Sequence, residues 1–120
     1  MSKCILVIED NEQNLYLVTY ILEKYGYRVI SAPNGRQGVD LARAEQPDLI
    51  LLDIQLPEMD GFAVATELRR NHGLSAVPIL AVTSYAMAGD RERIIAAGCS
   101  DYLEKPINPD TFIETVESYL

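Results

Sequence analysis

The sequence predicts an α/β fold in which a doubly wound, five-stranded parallel sheet is covered by five helices. Short apolar segments recur along the 120 residues, and the segments between them carry apolar residues at helical spacing. Two short stretches, residues 5–8 and 49–52, lack polar alternation, which is typical of strands buried on both faces. Strands that alternate with helices form parallel sheets with right-handed crossovers. Periodicity does not give the strand order, but sheets of this length commonly run 2-1-3-4-5.

Each predicted element has a local signal. The predicted strands are residues 4–8, 28–32, 49–52, 79–82 and 102–103. The apolar residues that define the five helices are Leu15, Val18, Leu22 and Tyr25; Gly38, Leu41 and Ala42 with Val39 beside them; Phe62, Ala65 and Leu68; Met87, Ile94 and Ile95; and Phe112, Val116 and Tyr119. Gly26 and Gly98 are predicted to end the first and fourth helices, and Asn108 is predicted to cap the fifth, with Pro109 at its first position.

Composition and charge limit the possible functions. One domain, residues 1–120, is expected, since a typical domain has about 150 residues. No apolar run exceeds five residues, far below the roughly 18 of a membrane-spanning helix. Glu9 and Asp10 directly follow the first run, so it is not a secretory signal, and we expect a cytoplasmic protein without membrane insertion. The net charge of −8 argues against unaided nucleic-acid binding.

Cysteine and histidine are too sparse to suggest a metal site. Cys4 and Cys99 have no CxxC or zinc spacing and adjoin apolar segments, so we expect reduced, largely buried thiols. The single histidine, His72, follows two arginines and an asparagine and is expected at a solvated helix end.

Polar residues follow four of the five predicted strands. The first strand is followed by Glu9 and Asp10, the third by Asp53, the fourth by Thr83, and the fifth leads to Lys105. In the doubly wound order the first and third strands are neighbours, so three carboxylates should converge on one rim of the sheet. Like charges this close are costly unless a cation neutralises them, and a cluster of carboxylates and carbonyls suits Mg²⁺.

These groups together suit the formation of an acyl phosphate. Asp53 would attack phosphorus, while Mg²⁺, Lys105 and Thr83 neutralise the phosphoryl oxygens. Each residue alone has a simpler explanation: a strand-end Asp is usually a helix N-cap, a Lys before Pro a surface residue, and a Thr after a strand a turn residue. Their joint placement at the ends of four strands favours the chemical interpretation.

The same residues resemble the receiver domains of response regulators in two-component signalling. The resemblance rests on Glu9 and Asp10 after an apolar strand, LLDIQLPEMDG around Asp53, VTS at residues 82–84 and YLEKP at residues 102–106. Each motif is weak alone, but four motifs in this order and at these separations are specific, and together they span essentially the whole chain. The resemblance implies a flavodoxin-like fold with strand order 2-1-3-4-5.

The resemblance also implies a role for each site residue. Asp53 matches the phosphoacceptor, and Asp10, Asp53 and the backbone carbonyl of Gln55 match the direct Mg²⁺ ligands. Glu9 matches an acidic position, Asp in many relatives, that usually acts through water. Lys105 matches the residue that pairs with the phosphoryl group, and the Lys105–Pro106 peptide bond is expected to be cis.

Thr83 and Tyr102 match the pair of residues that responds to phosphorylation. Thr83 is expected to donate to the phosphoryl oxygens, and the Tyr102 ring to turn into the space that Thr83 leaves. That movement would repack the face formed by helix 4, strand 5 and helix 5, where partners of this family dock. Gln55 and Tyr85 match positions beside the approach of hydrolytic water, and Tyr85 is expected to lengthen the phosphate lifetime.

The implied function is a signalling switch that accepts a phosphoryl group from a histidine kinase or phosphotransfer protein. It would act through protein–protein contacts and catalyse only its own phosphorylation and dephosphorylation. Because nothing follows helix 5, we expect no output domain in this chain and a single-domain regulator of the chemotaxis or DivK type. A receiver segment of a larger regulator or hybrid kinase is the alternative, and a strand directly after Met1 would place such a segment at the N-terminus. Dimerisation through the helix 4–strand 5–helix 5 face stays open. The helix 1 residues expected on the surface, where they would help to choose the kinase, are Asn14, Leu17, Tyr20 and Ile21.

Two other function classes fit the sequence less well. A haloacid-dehalogenase-type phosphatase uses a strand-end Asp but places a second acid two residues later, where this chain has Gln55, which cannot transfer a proton. A flavodoxin-type flavin carrier needs a phosphate loop after the first strand, where this chain has the acidic segment of residues 9–12. No GxxxxGK(S/T) nucleotide loop occurs.

Overall fold

The computed structural model describes residues 2–56, 60–84 and 88–120, which form five strands alternating with five helices. A short 3₁₀ helix, His72–Leu74, lies between the third helix and the fourth strand. In chain order the elements are β1 Cys4–Ile8, α1 Glu12–Lys24, β2 Arg28–Ala32, α2 Gly35–Glu45, β3 Leu49–Asp53, α3 Gly61–Arg69, β4 Ile79–Thr83, α4 Ala88–Ala96, β5 Asp101–Glu104 and α5 Pro109–Ser118.

The strands form one parallel sheet in the order β2-β1-β3-β4-β5, which confirms the predicted topology. Every residue of β1 and β3 is buried, as their lack of polar alternation predicted, and every residue of β4 is buried as well. β2 and β5 are the two edges of the sheet and are only partly buried.

Two helical layers cover the two faces of the sheet. Successive side chains of a strand point to opposite faces, so Leu6 and Ile8 pack under α2, α3 and α4, whereas Ile5 and Val7 pack under α1 and α5. The two cores lie on either side of the sheet. Because all five strands are parallel, their carboxyl ends lie at one rim of the sheet.

The helix ends agree with the predicted signals. Asn108 accepts hydrogen bonds from the backbone N–H groups of Asp110 and Thr111 at the start of α5. Gly26 and Gly98 follow α1 and α4 with φ values of 89° and 112°, a conformation that glycine adopts without a steric penalty. Cys4 and Cys99 are free and buried, as predicted. His72 is exposed, as predicted.

Some predicted positions differ from the structure. Ile21, predicted on the surface of α1, is buried in the core between the sheet and the α1–α5 layer. Ile95 is 47% exposed, so only Ile94 of that pair faces the core. Tyr25, predicted on the apolar face of α1, is 52% exposed. β3 and β4 extend one residue further than predicted, which makes Asp53 and Thr83 the last residues of their strands.

Met87, predicted in the fourth helix, lies outside the described residues. Within the part of the chain that the structure describes, no helix combines the length and apolar character that crossing a bilayer requires.

Candidate phosphoacceptor and metal site

Three carboxylates meet at the carboxyl ends of β1 and β3. One oxygen from each of Glu9, Asp10 and Asp53 lies within 4.8 Å of the others. The register of the sheet explains the convergence. Ile8 pairs with Leu52, so the acidic residues that follow them, Glu9 and Asp53, lie side by side. Glu9 is 6% exposed and Asp53 3% exposed, whereas Asp10 is exposed. The cluster is thus buried on one side and open to solvent at Asp10.

Lys105 places a positive charge against two of these carboxylates. Its Nζ lies 3.2 Å from Oδ2 of Asp53 and 3.3 Å from Oε1 of Glu9. The Lys105–Pro106 peptide bond is cis, as predicted. The Lys105 side chain is only 15% exposed, so solvent screens these ion pairs weakly.

The second oxygen of Asp53 is held by the backbone of the following loop. The Gln55 N–H donates to Oδ1 of Asp53 at 2.8 Å, and the Gln55 side-chain oxygen accepts from the Ser84 N–H at 3.1 Å. Gln55 therefore connects the loop after β3 with the end of β4. Both oxygens of the Asp53 carboxylate have a fixed partner, which orients the carboxylate.

Burial, as the main cause, and the neighbouring Asp53 carboxyl together raise the pKa of Glu9 to about 7. Lys105 and the Asn11 N–H, which lies 3.3 Å from Glu9 Oε2, act in the opposite direction. In the absence of another cation, the site therefore reduces its repulsion by keeping a proton near neutral pH.

The donor set fits a hard divalent cation. The cluster offers only carboxylate oxygens, which Mg²⁺ prefers, and Mg²⁺ usually keeps several waters. The opening at Asp10 provides room for such waters and for phosphate oxygens. Glu9, Asp10 and Asp53 are therefore the residues that would hold the ion.

Gly61, at the start of α3 and not among the predicted site residues, packs tightly against the backbone at the end of β3. Its N–H donates to the Ile54 carbonyl at 3.3 Å. A Cβ atom at this position would lie 2.5 Å from the Ile54 Cα and 3.0 Å from the Asp53 carbonyl oxygen. Because both are backbone atoms, a side chain cannot be accommodated by a simple rotamer change. The glycine that closes the LPEMDG motif was the available sequence signal.

Thr83 and Tyr102 lie on the same face of the sheet, under α4. Thr83 is 3% exposed, and its carbonyl accepts the Lys105 N–H at 2.8 Å. Tyr102 pairs with Ala81, which is two residues before Thr83 and so shares its face. A cavity of about 230 Å³ adjoins Thr83 and is also lined by Phe62. Tyr85, predicted to influence the phosphate lifetime, lies outside the described residues.

A larger groove runs between α4, β5 and α5. Its volume is about 460 Å³, and Arg91, Tyr102 and Thr115 contribute to its walls. Tyr102 is partly buried against the core on the α4 side of the sheet. A change in the packing of Tyr102 would therefore change the shape of this groove.

Comparison with known proteins points to one family. The family described as "Response regulator receiver domain" matches residues 5–117. The chain is 48% identical to the polar-differentiation response regulator DivK of Brucella anthropi over 120 residues, which is 100% of this chain and 98% of the relative. The DivK protein of Brucella ovis is 47% identical over the same coverage.

Solved structures show the same architecture. The chemotaxis protein CheY4 of Vibrio cholerae has a TM-score of 0.96 and 28% identity, with 100% of both chains covered. The receiver domain of a sensor histidine kinase from Pseudomonas aeruginosa PAO1 has a TM-score of 0.91 and 35% identity, covering 99% of this chain and 98% of that chain. In that structure a magnesium ion is coordinated in the active-site cleft.

Proposed function

Because the chain belongs to the response regulator receiver family, we propose that it is a phosphorylation-dependent switch with Asp53 as its phosphoacceptor. The observation that carries the proposal is the contact of Lys105 with Asp53, at 3.2 Å, inside a cluster of three carboxylates. A nucleophilic carboxylate, a cation site and a fixed ammonium group are the components that phosphoryl transfer to aspartate requires.

Asp53 supplies the attacking oxygen. A bond forms between this oxygen and phosphorus, while the bond from phosphorus to the histidine nitrogen of the donor breaks and its electron pair stays on the imidazole. The Gln55 N–H, 2.8 Å from Oδ1, orients the carboxylate, and Lys105 offsets the charge of the phosphoryl oxygens.

Glu9, Asp10, Asp53 and the Gln55 carbonyl would hold Mg²⁺. When bound, the ion stabilises negative charge on the phosphoryl oxygens. The oxygen-only donor set supports this assignment, as does the magnesium ion in the related Pseudomonas receiver domain. The approach of an anionic donor to this acidic rim would otherwise be repelled.

The partners follow from this chemistry. The donor is a histidine kinase or phosphotransfer protein, and the downstream target is a protein that docks on the α4–β5–α5 groove. The chain is not expected to bind nucleic acid directly or to insert into a membrane, and its proposed site of action is the cytoplasm. The net charge of −8 and the position of Tyr102 on the groove support a protein target.

Intact mass tests the phosphoacceptor. With Mg²⁺, acetyl phosphate or phosphoramidate is expected to add one phosphoryl group to the wild type, and chelation of Mg²⁺ should prevent it. Asp53→Asn should gain none, because an amide is a poor nucleophile, whereas the exposed Asp110→Asn is the matched control and should behave as wild type. Equal labelling of Asp53→Asn, or no adduct on wild type with either donor, would contradict the assignment.

The switch pair makes a second prediction. Thr83→Ala should still be phosphorylated on Asp53, but the NMR signals of the Tyr102 ring should no longer respond, because no hydroxyl donates to the phosphoryl group. Thr83→Ser keeps the hydroxyl and should restore the response. Ser84→Ala, which alters the neighbouring exposed hydroxyl, is the control. A wild-type response of Tyr102 in Thr83→Ala would rule out this coupling.

A further inference from the structure

β2 presents an open edge of the sheet, away from the phosphoacceptor. The Arg28 N–H donates to the Lys3 carbonyl, and the Ala32 carbonyl accepts from the Glu9 N–H, so the main chain of both residues faces β1. Hydrogen-bonding direction alternates along a strand. The N–H and C=O groups of Val29 and Ser31 therefore point away from β1, where a further strand could pair with them.

Grooves flank this edge on both faces of the sheet. On the α1 side a groove of about 590 Å³ is lined by Leu15, Tyr16, Tyr20, Val29 and Ser31. On the α2 side a groove of about 420 Å³ is lined by Ser31, Ala32, Leu41 and Ala44. Because side chains of a strand alternate between faces, a strand added at β2 would place them in the two grooves in turn.

Two large aromatic rings border the groove on the α1 side. Tyr16 is 74% exposed and Tyr20 58% exposed, and they lie one turn apart on α1. Exposed tyrosines of this kind are enriched in protein–protein interfaces, and their ring faces attract cations.

The charged residues that line the two grooves are all acidic. Glu12 and Glu23 lie at the groove on the α1 side, and Asp40 lies at the groove on the α2 side, where Arg43 approaches it at 3.8 Å. Among the described residues, no lysine or arginine lines either groove. The net charge of −8 adds to this local field. Two arginines lie near the edge, Arg28 exposed at the start of β2 and Arg43 beside Asp40, so the acidic charge is concentrated at Glu12 and Glu23 on the α1 side. The groove on the α1 side is therefore complementary to positively charged side chains, and two copies of it would repel one another.

We propose that the open edge of β2 binds an extended, lysine- or arginine-bearing segment of a partner protein, which adds to the sheet as a sixth strand. Its main chain pairs with Val29 and Ser31. Its cationic side chains lie across Tyr16 and Tyr20 towards the glutamates of that groove, and its small apolar side chains enter the groove on the α2 side. Because β2 and β5 are opposite edges of the sheet, this surface is separate from the α4–β5–α5 groove. The inference does not depend on phosphorylation of Asp53.

A synthetic peptide, acetyl-Lys-Val-Lys-Val-Lys-Val-Lys-amide with a fluorescent label, tests the proposal by anisotropy with the full chain. It should bind, and the same peptide with glutamate in place of lysine should not. Glu12→Gln combined with Glu23→Gln should weaken binding about fivefold. The pair Glu92→Gln and Glu114→Gln, exposed on α4 and α5, is the matched control and should not.

Backbone pairing is tested first by altering the peptide alone. N-methylation of all valines removes the N–H donors on one edge of the peptide, and N-methylation of all lysines removes those on the other. One of these two N-methylated peptides should lose binding and the other should retain it. The unmethylated lysine–valine peptide should slow hydrogen exchange at the amides of Val29 and Ser31 at least about tenfold. Ser31→Pro removes an outward N–H and should also weaken binding.

Two results would overturn the proposal. Equal binding of the two N-methylated peptides would show that only charge attracts the peptide to the surface. Slow, concentration-dependent exchange at Val29 and Ser31 without peptide would assign the edge to a second copy of this chain.

Discussion

Replacing Gly61 with alanine is expected to lower the free energy of unfolding by about 3 kcal/mol, near the upper end of typical overpacking costs. The new Cβ would lie 2.5 Å from the Ile54 Cα and 2.8 Å from its carbonyl oxygen, so the backbone itself must move. That backbone leads into Gln55, whose N–H orients Asp53. The variant should therefore also form less acyl phosphate. Urea denaturation and intact mass measure the two effects.

Gly73→Ala, in the 3₁₀ helix before β4, is the matched control for this prediction. The nearest neighbour of its Cβ would be the side-chain amide of the exposed Gln46, 3.0 Å from Oε1, and the end of that flexible side chain can move away. A small change in stability and wild-type phosphorylation are expected. If Gly61→Ala proved as stable as Gly73→Ala, the close approach of Gly61 to the Ile54 backbone would have no special role.

Without Mg²⁺, the free energy of unfolding should fall as the pH rises from about 4.5 to 7. In the unfolded chain Glu9 loses its proton at its ordinary pKa of 4.5, whereas in the folded protein burial beside Asp53 raises the pKa to about 7. The folded state therefore binds more protons over this range, and stability decreases with pH by on the order of 3 kcal/mol. Mg²⁺ affinity should change in the opposite direction, because the ion binds the ionised carboxylate.

Glu9→Gln isolates this effect. The amide has no proton to lose, so the variant should lack that part of the pH slope and should be more stable than wild type at pH 8 in the presence of a chelator. Its Mg²⁺ affinity should be lower and less dependent on pH. Glu114→Gln, an exposed change on α5, should keep the wild-type slope. Denaturation between pH 4.5 and 8 distinguishes the variants, and equal slopes for wild type and Glu9→Gln would refute the assignment to Glu9.

Most of the fold could be predicted because its signals are local. The uninterrupted apolar segments of β1 and β3 marked the centre of the sheet, and Asn108 with Pro109 marked the start of α5. Burial on a helix depends on its neighbours, which local periodicity does not reveal. Ile21 is buried because α1 and α5 share one core. Ile95 is exposed because Ile94 and Ala97, on either side of it, face the core.

The candidate site shows the same division between local and tertiary signals. The strand-end positions of Glu9, Asp10 and Asp53 are visible in the sequence, and the sheet register brings them together. The link from Gln55 to Ser84 joins two loops 29 residues apart and has no local signal. The raised pKa of Glu9 is equally inaccessible from sequence, because burial in the folded protein is its main cause.

The complete burial of β1, β3 and β4 has a consequence for how such a protein can diversify. The reactive groups stand at the ends of these central strands, whereas the helix surfaces and the two sheet edges face solvent. Substitutions on those outer surfaces usually change stability little. Partner choice can therefore diverge among duplicated copies while the chemistry of the rim stays the same, so that parallel signalling pathways can become insulated from one another on a shared scaffold.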